Sequence, residues 1–328
     1  MSRTHSLSIV IPVYRGSATL ETVVAELSFM RDAQISAGGA RYQLLEVLLV
    51  DDRGPDNSAD AIRRLTEQFD WVVPVWLTRN FGQHAATLAG MASTRADWIV
   101  TIDEDGQHDP RTIGALLDCA LDQSSQVVYG LPASAPPHGF LRNFFSRVTK
   151  KFVSAVLTGG EVKNFSSFRL VVGGLGRSLA AYTTSNVYLD VALSWVAQDI
   201  GYCRVNTRQE LRATSGYSQR ALMSHFFRLV LSAGTRPLRL AALLGVMASV
   251  AGVIFALAIA VLRVASGFAV TGWASLFSLV LVVGGLILLI LGILAEYLGV
   301  VVRTSLGRPI YVIGDDPVLG PQYDRQEK

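Results

Sequence analysis

The sequence predicts an α/β fold, a doubly wound and largely parallel sheet, followed by a two-helix membrane hairpin. Three observations lead there. Short β-branched runs alternate with longer amphipathic stretches over the first hundred residues, polar clusters follow successive strands, and two long apolar runs lie near the end of the chain. With 328 residues, half of them apolar, there is material for one sizeable soluble core and for membrane-embedded structure besides.

In chain order, Leu7–Val13 reads as a strand, Ala18–Ser36 as an amphipathic helix, Leu44–Val50 as a strand and Asn57–Phe69 as a helix. Trp71–Leu77, Gln83–Ser93 and Asp97–Ile102 then continue as strand, helix and strand. In a sheet wound this way ligands sit beyond the carboxyl ends of the strands, so the residues just after each strand are the ones to inspect. A loop rich in proline and small residues follows at Leu131–Gly139. Phe140–Leu157 then combines Arg142, Arg147, Lys150 and Lys151 with Phe144, Phe145, Phe152 and Val153. Tyr217–Leu231 has a similar mixture, with Arg220, His225 and Arg228 among Leu222, Phe226, Phe227 and Leu229. Each suits either a membrane surface or an ordinary solvated helix face, and the neighbouring apolar runs favour the membrane.

Leu240–Leu262 and Ala274–Ala295 each run for about 20 positions without a charge, long enough to span a bilayer. Arg220, Arg228, Arg236 and Arg239 precede the first run, and Arg303 and Arg308 follow the second. The intervening 264–272 loop is uncharged, with Arg263 at its edge, so the positive-inside rule puts the N-terminal body and the C-terminal tail in the cytoplasm. Met1–Ser8 lacks the pattern of a secretory leader, which agrees with that topology. Cys119 and Cys203 would lie on the reducing side and read as small core thiols. The formal net charge of +3 points to no particular partner, nucleic acid included, because much of the positive charge flanks the apolar runs.

Three polar clusters occupy successive strand ends: Pro12-Val13-Tyr14, the stretch from Val50 through Asp51, Asp52 and Asp56 to Ser58, and Asp103-Glu104-Asp105-Gly106-Gln107. Carboxylates two residues apart beyond a strand offer oxygen ligands to a hard divalent ion, Mg2+ or Mn2+, with phosphate oxygens completing its shell. Such an ion would neutralise a diphosphate leaving group. Taken singly, Asp52 or Asp56 could equally cap the helix that begins near Asn57, so the argument rests on three clusters sharing one edge.

These motifs, with Arg79-Asn80-Phe81-Gly82-Gln83-His84, the continuation Gln107-His108-Asp109-Pro110, Arg236-Pro237-Leu238-Arg239 and Glu296-Tyr297-Leu298-Gly299, span nearly the whole chain. Together they resemble family 2 glycosyltransferases of GT-A fold, in the polyprenyl-phosphate branch that includes dolichol-phosphate mannose synthases, bactoprenol glucosyltransferases and undecaprenyl-phosphate aminoarabinose transferases. The resemblance implies that Pro12, Tyr14, Val50 and Asp52 line a nucleotide pocket, with Asp52 near the base. It implies that Asp103, Glu104 and Asp105 surround the diphosphate, with Asp105, Gln107 and Asp103 as metal ligands. Arg169 and Arg212 are then donor-phosphate contacts, and Arg147 meets the acceptor phosphate. Asp190, in Tyr188-Leu189-Asp190-Val191, falls where inverting enzymes of this fold place a base, and reads equally as a solvated or helix-N-terminal carboxylate.

The sequence departs from the family pattern at three places. Arg15-Gly16 stands where Asn-Glu is common, Asn164 replaces an aspartate before the Phe168-Arg169 pair, and the Arg212–Ser218 stretch lacks the lysine of an Arg-x-x-Gly-x-Ser-Lys motif. The implied reaction is inverting transfer of a sugar from a nucleotide-sugar, with UDP favoured, to polyprenyl phosphate at the cytoplasmic face of the inner membrane. The implied layout is a catalytic domain over 1–215, a juxtamembrane helix over 216–238, two spans within 239–302 (240–262 and 274–298), and a cytosolic tail over 303–328. The resemblance also implies a homo-oligomer assembled through the membrane parts as one option, with the oligomeric state left open. The competing readings are a processive polysaccharide synthase, which would carry a Gln-x-x-Arg-Trp motif not found here, and a non-catalytic membrane scaffold with a decayed transferase domain.

Overall fold

The computed structural model of the protein describes residues 3–133, 165–183, 188–206, 208, 272–307 and 309–318, with isolated positions between 245 and 261. These residues fall into two units. One is an α/β domain that also includes 309–318, and the other contains a long apolar helix.

The α/β domain is built on a nine-stranded sheet in the order β8-β6-β7-β5-β1-β3-β4-β9, with β2 pairing on β3. Its strands are β1 (Thr4–Val13), β2 (Gln34–Ile35), β3 (Arg41–Asp51), β4 (Val72–Leu77), β5 (Trp98–Thr101), β6 (Val127–Pro132), β7 (Arg169–Val172), β8 (Ile200–Val205) and β9 (Ile313–Gly314). β3 and β5 flank β1 in parallel, β4 runs parallel to β3, and β6 to β8. Because β7 is antiparallel to both β5 and β6, the six strands β1, β3, β4, β5, β6 and β8 point the same way, and β2, β7 and β9 run against them. The carboxyl ends of those six strands therefore share one edge.

Alternation along the strands explains the helices on both faces. Leu7, Ile9, Ile11 and Val13 of β1 and Leu44, Val47 and Leu49 of β3 face one core with α1 (Leu20–Leu27), α2 (Ser58–Gln68) and α4 (Ile113–Asp122). Val10, Leu48 and Val50 face the other core with α3 (Gln83–Ala92), α5 (Gly173–Tyr182) and α6 (Leu189–Val196). Each fully buried Leu, Ile or Val contributes about 1.5–3 kcal/mol. At the edge opposite the strand ends, buried Glu46 accepts from Ser8 Oγ at 2.8 Å and takes a two-pronged Arg95 guanidinium at 2.8 and 3.0 Å, which removes the cost of burying its charge.

Beyond Ile102 the sequence reading assigns none of β6 to β9 or α4 to α6, and within the assigned stretch one element differs from the expectation. The stretch read as one helix over Ala18–Ser36 breaks after Leu27 into a 3₁₀ turn, Ser28–Arg31, and then pairs Gln34–Ile35 with Tyr42 and Arg41 of β3. Within the stretch expected to be a cytosolic tail over 303–328, Ile313–Gly314 add to β4 as a further strand of the sheet. A two-residue strand carries no readable periodicity, and it forms because β4 would otherwise leave its outer N–H and C=O groups bare.

The second apolar run forms α7 (Trp273–Ser305), longer than the 274–298 expected. Its Val282–Gly299 stretch has a mean hydropathy of 2.2 and none of it is buried against protein. Length and composition thus suffice for one crossing. The first run, and both basic amphipathic segments, lie largely or wholly outside the described residues.

Candidate active site

The loop between β5 and α4 carries Asp103, Asp105 and Gln107. Asp103 Oδ1 accepts from Gln83 Nε2 at 2.6 Å, Oδ2 accepts from Ser167 Oγ, and its own N–H donates to His108 Nδ1 at 3.1 Å. Burial holds the His108 imidazole below its usual pKa, against the pull of Asp103 and Asp105, so Nδ1 is an acceptor. The ring stacks on Phe168 at 4.9 Å. Asp105 Oδ1 accepts the Gln107 N–H at 3.0 Å, and no bond among the described residues engages its Oδ2.

Three predicted contact residues are turned toward the protein itself. Glu104 accepts the N–H of Tyr14 at 2.9 Å and of Arg15 at 3.0 Å, binding the loop after β1 rather than facing outward. Asp52 is 3 % exposed and accepts the N–H groups of Phe81 at 2.7 Å and Gly82 at 2.9 Å, which fixes the loop between β4 and α3. Val50 is fully buried in the core under α3. Pro12 is buried in register with Val50, and Tyr14 reaches solvent. The turns after β1 and β3 touch closely, since a Cβ on Gly54 would fall 1.6 Å from the Tyr14 carbonyl oxygen, which only glycine permits. Gly82, at φ +93°, lets the chain turn into α3 while its own amide and that of Phe81 reach Asp52.

Arg169 opens β7, and because that strand runs against β5 and β6 its first residue lies at the shared edge, in register with Thr101 and Tyr129. The guanidinium forms a buried ion pair with Asp190, in the first turn of α6. Tyr129 donates its hydroxyl to the same carboxylate at 3.1 Å, and burial beside Asp190 pushes the phenol far up, so it stays a donor. Arg169 and Asp190 are 4 % and 6 % exposed. They form the floor of a cavity walled by Gln83, His84, Thr87, Phe165, Ser166 and Ser167, with His84 edge-on to Tyr188 at 4.4 Å.

The structure thus brings together Asp103, Arg169 and Asp190, joined through Gln83 and Ser167, with Asp105 and Gln107 on the same loop as Asp103. Arg147 and Arg212 lie outside the described residues. Sequence reasoning missed Tyr129, whose only signal is a polar group in a buried strand. Gln83 and His84 stand within the Arg79–His84 motif with no role assigned, and Ser167 directly precedes the Phe168-Arg169 pair. A hard divalent ion fits the residues present. Among the described residues no three His, Cys, Asp or Glu side chains gather as a cage, and such an ion usually takes one or two carboxylates and completes its shell with substrate phosphates.

Residues 8–170 match the sequence model of "Glycosyl transferase family 2". The chain is 32 % identical over 311 residues to the undecaprenyl-phosphate 4-deoxy-4-formamido-L-arabinose transferase of Pseudomonas aeruginosa strain LESB58, covering 94 % of this chain and 89 % of that one. It is 29 % identical over 313 residues to the protein of the same name from Shewanella sediminis, covering 94 % and 92 %. Among solved structures, mannosyl-3-phosphoglycerate synthase from Rubrobacter xylanophilus superposes with a TM-score of 0.50 at 13 % identity, over 72 % of this chain and 74 % of that chain, a likeness of fold.

Proposed function

The chain belongs to glycosyltransferase family 2 and has the GT-A type of α/β fold, and from that premise we propose that it transfers one sugar from a nucleotide-sugar, preferably a UDP-sugar, to polyprenyl phosphate at the cytoplasmic face of a membrane. The observation that carries this reading is the single edge where the Asp103–Gln107 loop and the Arg169–Asp190 pair meet, in a chain that goes on to a 33-residue apolar helix. Relatives named for transfer to undecaprenyl phosphate and aligned over 94 % of the chain support the acceptor. The reading includes two membrane spans, at 240–262 and within α7, with the α/β domain cytoplasmic.

The acceptor is a phosphate monoester whose second pKa near 6 leaves it largely dianionic at neutral pH, so it is a nucleophile without a strong base. Its oxygen forms a bond to the anomeric carbon as the bond from that carbon to the nucleoside diphosphate breaks, inverting the centre, and the electron pair leaves on the diphosphate. Asp190, held by Arg169 and Tyr129, orients the acceptor and donor sugar in line. Gln83 and Ser167, which line the cavity, hold the Asp103 carboxylate by hydrogen bonds. Asp105 and Gln107, with Asp103, would hold Mg2+ or Mn2+, which supplies charge neutralisation for the diphosphate. Arg147 and Arg212 would add phosphate contacts.

The test is incubation of the purified full-length protein with undecaprenyl phosphate, Mg2+ or Mn2+ and a panel of nucleotide-sugars, read by mass spectrometry. A lipid-linked monosaccharide is expected, with Asp105→Ala reducing turnover by about 100-fold or more. A polymeric product would replace this reading with the processive one. Absence of both turnover and nucleotide binding would favour the scaffold.

A further inference from the structure

The segment that follows α7 closes the outer edge of the sheet next to the loop that begins the candidate active site. Only residues 306–308 separate the end of α7 at Ser305 from Pro309. Ile313 and Gly314 pair antiparallel with Leu77 and Trp76, the last residues of β4, and the Thr78 N–H donates to the Val312 carbonyl at 3.0 Å. Beyond the strand, Asp316 takes a two-pronged bond from Arg63 of α2, Nε to Oδ2 at 2.8 Å and Nη2 to Oδ1 at 2.9 Å. Both side chains are largely buried, at 17 % and 14 % exposed. Such planar pairing fixes orientation as well as adding energy, and Asp60 and the Trp76 ring, 5.6 Å from the guanidinium, hold Arg63 in place. Ile310 and Tyr311 pack against the same core as Phe81.

The loop at 78–82 is therefore held at both ends. Thr78 is bonded to the returning segment, while the amides of Phe81 and Gly82 are bonded to Asp52. Arg53, at a φ of +52°, donates Nε to the Leu77 carbonyl at 2.7 Å, one residue before the first of these anchors. The next residue, Gln83, bonds Asp103. We propose that the segment 309–318 is a strap that positions the 78–82 loop for donor binding, with the Arg63–Asp316 pair as its catch. This rests on the transferase reading for what the loop receives. Neither Arg63 nor Asp316 reaches the cavity, so both are positioning residues.

Asp316→Ala, Arg63→Ala, the double variant and the conservative Asp316→Glu distinguish this from a general loss of fold. Hydrogen exchange of the 78–82 amides is measured on the full chain without nucleotide, and donor and acceptor KM are measured separately. Each alanine variant is expected to speed exchange at 78–82 and raise donor KM about 5–10-fold, with acceptor KM unchanged. The double variant is expected to be no worse than the worse single, because both remove one contact. Asp316→Glu is expected to recover most of the effect. Unchanged exchange at 78–82 would overturn the proposal, as would donor and acceptor KM rising together. Should no donor be turned over, the transferase reading fails and the exchange result still decides the strap.

Discussion

Asp51 closes β3 with 2 % exposure, and burial, outweighing the pull of Arg53, lifts its carboxyl from an ordinary 3.8 to about 6. A carboxyl raised in the fold favours the folded state below the unfolded pKa, and that contribution is lost as pH rises through the folded one. Two units correspond to about 3 kcal/mol, lost between roughly pH 4 and 6. Asp51→Asn is expected to flatten this part of the stability profile and raise the melting temperature at pH 7 to 8, read by thermal unfolding across the range. Asp190 is the opposite case, a buried carboxylate with its countercharge beside it. Asp190→Asn leaves Arg169 buried without its partner, so unfolding free energy is expected to fall by about 3–5 kcal/mol together with turnover. A variant that melts like the parent would show that the pair is not the fold's anchor.

Among the elements, the β4–α3 loop depends on a carboxylate that the sequence read as a ligand contact. Asp52 holds two amides, and hydrogen bonds to a charged group contribute about 1.5–3 kcal/mol each. Asp52→Ala is expected to destabilise the domain by a few kcal/mol and to accelerate exchange at Phe81 and Gly82 even without nucleotide. If Asp52 served only the donor, exchange in the free protein would stay unchanged. α7 carries apolar side chains over Val282–Gly299 that the protein does not bury, and in the proposed membrane arrangement these face lipid. Leu288 is 70 % exposed, and Leu288→Arg is expected to cost about 2.5–3.5 kcal/mol of insertion, read in a membrane-integration assay.

For the whole molecule, divalent metal is expected to matter for turnover and not for folding, because the protein offers a few oxygens and no cage among its described residues. Chelation with EDTA is expected to abolish sugar transfer, leave the melting temperature of the donor-free protein within about a degree, and be reversed by added Mg2+ or Mn2+. A large drop in melting temperature on chelation would point instead to a structural ion.

The sequence by itself determined the order of strands and helices over the first hundred residues and the edge at which chemistry belongs. The apolar runs of β1 and β3 and the 3.6-residue spacing of α2 are local signals, and winding the strands parallel puts Pro12-Val13-Tyr14, Asp51-Asp52 and Asp103–Gln107 on one side. It also marked the apolar run that becomes α7. Only the tertiary structure decided which side chain bonds which. Glu104 and Asp52 turn to the protein's own amides, Arg169 finds Asp190 and Tyr129 from two other elements, and Asp316 crosses the chain to Arg63. A carboxylate after a strand has the same local pattern whether it meets a ligand or a neighbouring loop. Its partner is set by packing between residues far apart in sequence, which no local period records.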